Sequence, residues 1–287
     1  MKKYQIKSFC KINLSLRVLK KLKNGYHNVA SLITFCGLHD LISINISKKK
    51  KDEITFSGKF KKGINKKKNT LTNLLFILRK KNLLRKKFFK INIKKNIPHG
   101  SGLGGGSANA ANLLNFLNIK MNLRLSNKTI NKVANQIGFD VTSLLKKKNT
   151  FFTGNKRELI RLKNNFNLNV LIVYPNVICS TKKIYQKNKS FTFSKIKTSF
   201  NTNSKKKLIK LLKKEKNDLE EIVIKTYPIV GKIINLIKSQ KGCCFSRITG
   251  SGSACIGIFY NMKTANNAKV LIKQKFPNFW LATSKTI

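Results

Sequence analysis

Long apolar runs are missing from this sequence. No stretch approaches the roughly 18–20 uninterrupted apolar residues that a membrane span needs, which excludes helical membrane proteins. Metal-ligand and disulfide spacing is missing too. The six cysteines (Cys10, Cys36, Cys179, Cys243, Cys244, Cys255) show no C-x-x-C pair, so reduced core thiols are expected. The N-terminus carries Lys2 and Lys3 but no apolar leader, and a candidate active-site segment begins at residue 9. That leaves no room for a cleaved transit peptide and gives a cytoplasmic expectation. Acidic residues are scarcest of all: nine Asp and Glu face 61 Lys and Arg, a net charge of +52.

Such a charge raises the nucleic-acid-binding class, because clustered basic side chains neutralise phosphates and release counterions. Here the lysines fall in short runs along the whole chain (Lys48–Lys51, Lys66–Lys68, Lys146–Lys148, Lys205–Lys207) and form no single arm. No zinc finger, basic zipper or aromatic ribonucleoprotein motif accompanies them. The expectation is solvated basic faces with loose, nonspecific binding to polyanions. A basic nucleic-acid-binding protein on a decayed enzyme fold stays as the remote alternative. At 287 residues with 41% hydrophobic content, the chain supports a real core and two domains.

Periodicity predicts α+β layers in both halves. Tyr4–Val18, Leu32–Phe35, Leu41–Ile46 and Phe89–Ile93 alternate as strands, and Thr70–Lys81 and Asn109–Leu117 read as helices. Ser126 caps a helix that Gly138 closes. The polar, basic stretch from Lys146 to Asn167, strand-poor in its middle, suggests a domain boundary at residue 153, dividing the chain into 1–153 and 154–287. Beyond it come a strand over Val170–Val173, a low-complexity basic connection over Lys187–Lys207, and helices over Lys206–Lys214 and Glu220–Gln240. A strand pair, Phe245–Ile248 with Ala254–Phe259, and a helix over Ala265–Lys275 follow.

The most informative segment runs from Pro98 through Gly100, Ser101, Gly102, Leu103, Gly104, Gly105 and Gly106 to Ser107. Five glycines in seven residues follow a strand and open a helix. Glycine permits positive φ and presents no Cβ, so successive N–H groups can point at one ligand. The helix start adds its own unpaired N–H groups and positive dipole end. A polyphosphate is the natural guest. The loop is not a dinucleotide fingerprint, because no acidic residue lies between Glu53 and Asp140 to hold a ribose. It is not a P-loop either, since no Gly-Lys-Ser/Thr follows, and the protein-kinase triplets are missing.

Here the chain resembles the GHMP superfamily of galacto-, homoserine, mevalonate and phosphomevalonate kinases, whose hallmark is a Gly-Leu-Gly-Ser-Ser-like loop at a helix start. Its triple-glycine form is similar to the isoprenoid-pathway branch that phosphorylates a cytidine diphosphate derivative. Lys11-Ile-Asn-Leu14, Gly25-Tyr-His27 with the following Asp40, Gly138-Phe-Asp-Val141 and Thr249-Gly-Ser-Gly-Ser253 resemble further motifs of that branch, in order. Another small-molecule kinase of the superfamily is the nearer alternative.

The resemblance implies a two-domain fold, ATP and Mg²⁺ as cofactors, and a small-molecule acceptor. It implies an ATP-binding part before residue 153 and a substrate-binding part after it. The loop residues Pro98 to Ser107 would hold the phosphates. Lys11 would neutralise the moving phosphoryl group and hold Asp140, which accepts the hydroxyl proton. Asp140 has an argument of its own, as the only acidic residue between Glu53 and Glu158. Asn13, Tyr26, His27, Tyr185, Gly250, Ser251 and Gly252 would contact the acceptor, and Asn69 to Leu71 would lie near the adenine. The loop departs from the usual pattern at Ala108, where a serine is expected to touch Mg²⁺ or phosphate, and at Asn109, where a carboxylate is expected. Phe9-Cys10 replaces Pro-Ala ahead of Lys11.

Overall fold

The structure, a computed structural model, describes residues 3–23, 25–153, 158–192 and 200–287. Two compact units emerge, and neither is contiguous in sequence. The first comprises Met1–Cys10, Leu38–His99 and Gly104–Lys147; the second comprises Lys11–Gly37, Gly100–Leu103 and Lys148–Ile287. This division differs from a single cut at residue 153, because strands β1 (Tyr4–Lys21) and β2 (His27–Ile46) each contribute residues to both units.

In the first unit, β3 (Glu53–Ser57) runs parallel to β4 (Phe89–Lys94), and β4 pairs antiparallel with β2 from Leu41 to Ile46. Ile42, Ile44, Phe89, Ile91 and Ile93 are fully buried on one side of this sheet, the period of 2 expected of strands with one dry face. Helices α1 (Thr70–Lys80), α2 (Gly105–Lys120), α3 (Asn127–Ile137) and α4 (Phe139–Ser143) complete the unit. Helix α1 starts in a capping box, with Asn69 accepting from Leu71 and Thr72 N–H groups. Helix α2 buries Ala108, Ala110, Ala111, Leu113, Leu114 and Leu117, so it is apolar around most of its girth and central to the unit.

The second unit holds β5 (Thr150–Thr153), antiparallel to β2 at Ser31–Ile33 and to β6 (Glu158–Arg161). Its main sheet is built from β7 (Asn169–Tyr174), β8 (Cys243–Ile248), β9 (Cys255–Phe259) and β10 (Trp280–Lys285), in the order β10-β7-β9-β8, all antiparallel. Around it lie α5 (Thr181–Gln186), α6 (Lys205–Lys213), α7 (Glu220–Thr226), α8 (Pro228–Lys238) and α9 (Met262–Lys275). Val230, Ile233 and Ile237 of α8 join Leu171, Val173, Cys255 and Phe259 in one buried cluster.

Several expectations need correction. The helix over Glu220–Gln240 is two helices. Pro228 cannot donate to the ladder and pushes Tyr227 to φ −136°, ψ 82°, so α7 ends there and α8 begins with Pro228 in its first turn. The expected strands Leu32–Phe35 and Leu41–Ile46 are one strand. Gly37 does not break it, because its N–H donates to Ser284 Oγ at 2.9 Å in a close approach that a side chain would crowd. The basic stretch after Lys146 carries strands β5 and β6. Residues 193–199 of the Lys187–Lys207 segment lie outside the described residues, and Lys205 already opens α6, capped by Ser204. All six cysteines are free thiols, all but Cys243 buried.

Candidate active site

The glycine loop alternates in hand. Gly100, Gly102 and Gly104 have φ of 64°, 83° and 66°, a left-handed setting that costs other residues about 1–2 kcal/mol each. Gly104 is the N-cap of α2 and has no side chain to cap with. The N–H groups of Gly105, Gly106 and Ser107, in the first turn, therefore have no intrahelical acceptor. Together with the dipole they make an anion-binding end. Thr70 Oγ1 donates to the Gly106 carbonyl at 2.9 Å, tying α1 to this turn within the first unit. Asn69 is committed to capping α1, so its side chain is occupied. Ser107 is half-buried on the first turn, whereas Ala108 is wholly buried and joins the core of the unit. Asp140, also in the first unit, is exposed in the first turn of α4, which starts at Gly138.

The second unit gathers a different set. Lys11, mid-strand in β1, is 5% exposed, and its ammonium donates to Asn13 Oδ1 and, at 2.9 Å, to the Gly102 carbonyl. Burying an ammonium is tolerable only with such acceptors. Asn13 is itself fixed: its N–H donates to Thr249 Oγ1 at 2.8 Å and its Nδ2 to Ser31 Oγ at 2.8 Å. The turn Thr249–Ser253 closes on the loop. A Cβ at Gly102 would lie 2.0 Å from the Thr249 carbonyl oxygen, and one at Gly250 would lie 3.2 Å from Lys11 Nζ. Asn217 Nδ2 donates to the Gly250 carbonyl at 2.8 Å, and Ser251 Oγ lies 2.9 Å from Thr181 Oγ1. The carbonyls of Gly100, Ser101 and Leu103 accept from the N–H groups of Cys179, Ala254 and Lys11 at 3.0–3.1 Å. Ser101 and Leu103 have buried side chains, as has Pro98, so they shape the loop through the backbone.

Elsewhere in the second unit, His27 lies 5.2 Å from the Tyr185 ring and stacks at 6.4 Å on Phe191, while Tyr26 is 66% exposed. His27 Nε2 is buried without a hydrogen-bond partner among the described residues. Burial, with Lys21 adding repulsion, holds the imidazole below its ordinary pKa and keeps it neutral near pH 7. An orphaned ring nitrogen beside two aromatic faces suits a flat, polar base.

Sequence reasoning named Lys11, Asn13, Gly102 and Gly250, and the second unit brings these together. It missed the Thr249 hydroxyl and Ser31, which orient Asn13, and Phe191, which backs His27. Thr249 was within reach, as the first residue of a singled-out turn; Ser31 and Phe191 carry no local signal.

Comparison with known proteins fits this geometry. The sequence matches the GHMP kinases N terminal domain over residues 69–147 and the GHMP kinases C terminal domain over residues 197–278. It is 40% identical over 289 residues to the 4-diphosphocytidyl-2-C-methyl-D-erythritol kinase of Pelagibacter ubique (strain HTCC1062), covering 100% of both chains. It is 32% identical to the protein of the same name from Wolbachia pipientis wMel, again over 100% of both. Among solved structures, a 4-(cytidine 5'-diphospho)-2C-methyl-D-erythritol kinase shares the fold with a TM-score of 0.75 at 21% identity, covering 98% of this chain and 99% of that one. A homoserine kinase from Cytophaga hutchinsonii does so with a TM-score of 0.74 at 17% identity, covering 100% and 95%. With full-length identity of 40% to a relative of that name and both family domains matched, the chain belongs to the 4-diphosphocytidyl-2-C-methyl-D-erythritol kinases, a branch of the GHMP kinases.

Proposed function

We propose that the chain transfers the γ-phosphate of ATP to the 2-hydroxyl of 4-diphosphocytidyl-2-C-methyl-D-erythritol, a step of isoprenoid biosynthesis. The observation that carries this reading is the Lys11 ammonium, buried yet held on a carbonyl of the glycine loop. Phosphoryl transfer passes through a loose transition state, so the protein chiefly positions groups and stabilises charge. The first turn of α2 holds the β- and γ-phosphates through backbone N–H groups. Lys11 neutralises charge on the moving phosphoryl group. Asp140 orients the acceptor hydroxyl and takes its proton late in the transfer. Tyr26, His27 and Tyr185 hold the cytosine, with the His27 ring nitrogen free to bond its polar edge. Gly250, Ser251 and Gly252 line the acceptor side of the turn.

No cluster of three or more His, Cys, Asp or Glu suited to a metal occurs among the described residues. The Ser107 hydroxyl, on the first turn of α2, would hold a Mg²⁺ whose other ligands would be phosphate oxygens and water. When bound it would neutralise phosphate charge. No helix among the described residues is long and apolar enough to cross a membrane.

The test is transfer of label from [γ-³²P]ATP to 4-diphosphocytidyl-2-C-methyl-D-erythritol, with mevalonate and homoserine as parallel acceptors. Labelling of the cytidyl compound alone is expected. Labelling of another acceptor in preference would move the chain elsewhere in the superfamily, and labelling of none would sink the reading.

A further inference from the structure

The first unit seals a charge pair from water beside the start of α2. Asp40, in the second half of β2, is 0% exposed, and Lys95, just past the end of β4, is 2% exposed. One carboxylate serves four donors. Oδ2 accepts from Lys95 Nζ and, at 3.0 Å, from Asn109 Nδ2 on α2. Oδ1 accepts from the backbone N–H groups of Asn96 at 2.8 Å and Ile97 at 2.9 Å, the two residues that lead into Pro98. The Lys95 ammonium also lies 3.3 Å from where a Cβ of Gly105 would sit, so it is packed against the first residue of α2.

Stability is a weak reason for such a pair. Taking both charges out of water offsets most of their attraction, and apolar replacements are often neutral or better. What the arrangement supplies is geometry. Two consecutive N–H groups on one oxygen set the direction of the chain entering the loop, and the Asn109 amide sets the rotation of α2 about its axis. Asn109 Oδ1 is buried without a partner among the described residues, so this amide is oriented by what its nitrogen donates to.

We propose that Asp40 and Lys95, with Asn109, form a positioning device. It holds the first turn of α2 at the height and rotation that let its N–H groups converge on the ATP phosphates. The inference rests on the reading of that turn as the phosphate site.

The test is ATP binding by calorimetry on the full chain, with thermal melting and steady-state kinetics alongside. The key protein is the double variant Asp40→Ala with Lys95→Met. It removes both charges together, and with them the oxygens that hold the Asn96 and Ile97 N–H groups and the Asn109 amide. This variant is expected to fold with a lowered melting temperature and to bind ATP about tenfold more weakly or worse, the scale of a misplaced binding group. The KM for ATP should rise by a similar factor, with the KM for the cytidyl acceptor unchanged.

A folded double variant that binds ATP within about twofold of wild type, well below that scale, would show the pair to be structural and overturn the inference. Should the double variant fail to fold, Asn109→Ala decides, since it removes only the amide that sets the helix rotation. Weakened ATP binding with the acceptor KM held is expected there, and wild-type ATP binding overturns the proposal. Wild-type protein that does not bind ATP at all would sink the phosphate-site reading and this inference with it, an outcome separable from failure of the inference alone.

Discussion

Alanine at Gly102 probes the site where it is tightest. The residue sits at φ 83°, and the added Cβ would lie 2.0 Å from the Thr249 carbonyl oxygen and 3.1 Å from that of Gly252. The left-handed backbone alone costs alanine about 1–2 kcal/mol. A carbon and a carbonyl oxygen settle no closer than about 3.3 Å, so the turn must withdraw by about 1 Å or the loop must unwind. Either movement reaches Lys11, because its ammonium hangs on the Gly102 carbonyl at 2.9 Å while Thr249 Oγ1 fixes Asn13. A 1 Å misplacement at a reacting centre lowers rate by about 100-fold. Gly102→Ala is therefore expected to lose about 10²-fold in kcat/KM for ATP, measured by coupled ADP release. Domain stability of about 5–15 kcal/mol exceeds the local strain, so the variant should fold with a lowered melting temperature. Gly138→Ala is the comparator: its φ of 162° is extended and no atom lies within 4 Å of the new methyl. That variant should melt at the wild-type temperature or slightly above it. A folded Gly102→Ala protein with kcat/KM within about threefold of wild type would refute the claim that this contact holds the reacting groups.

Asp140→Asn should lower kcat by about 10²-fold or more while ATP affinity measured by calorimetry stays put; unchanged turnover removes Asp140 from the chemistry. His27 gives a pH dependence. Its pKa is lowered in the folded protein, so the unfolded chain binds the proton more tightly. Its contribution to stability is whole above the ordinary value of 6.5 and declines as pH falls below it. The acceptor KM should be flat above 6.5 and rise only as pH falls through the lowered value of the folded protein, and His27→Phe should abolish that acid limb. Arg247 is 5% exposed and donates to the Leu14 and Leu212 carbonyls at 2.8 and 2.9 Å. Burial lowers its pKa to about 10, which leaves it charged at neutral pH. Arg247→Met should cost about 3–5 kcal/mol in urea unfolding, because it strands two carbonyls and removes the cation beside Glu220.

Much of the fold was legible because its period is local. Leu71, Leu74, Leu75 and Leu78 mark one buried stripe of α1, and Ser126 and Gly138 bracket α3, with the cap and stop where the residue types put them. The strands β3, β5, β6 and β10 were not legible. Each is short or only partly buried, and β10 takes its place by pairing with β7, more than a hundred residues earlier. The interleaving of the two units left no trace either, since the crossings fall inside β1 and β2 without a change in composition. In the site, backbone roles were readable from glycine, and the side chains that orient Asn13 and back His27 were not. Five glycines announce a loop whose N–H groups matter, whereas the hydroxyl of Thr249 is chosen by a partner 236 residues away.

Scarcity of acid carries a signal of its own. Asp40, Asp52, Asp218 and Glu220 each accept from a backbone N–H group: Asn96 and Ile97, Phe89, Val18, and Ile248 respectively. Removing any of these carboxylates leaves a donor unsatisfied in a partly or fully buried place, at about 1–3 kcal/mol. Their presence in so basic a chain is thereby accounted for by folding. Asp140 is held by no such debt. It is exposed, and a carboxylate in the first turn of a helix gains only about 0.3–1 kcal/mol from the dipole. Neutralising the first group should register in unfolding free energy, and neutralising Asp140 in turnover with stability nearly unchanged. That separation would tell carboxylates that hold backbone groups from one that serves the proposed chemistry.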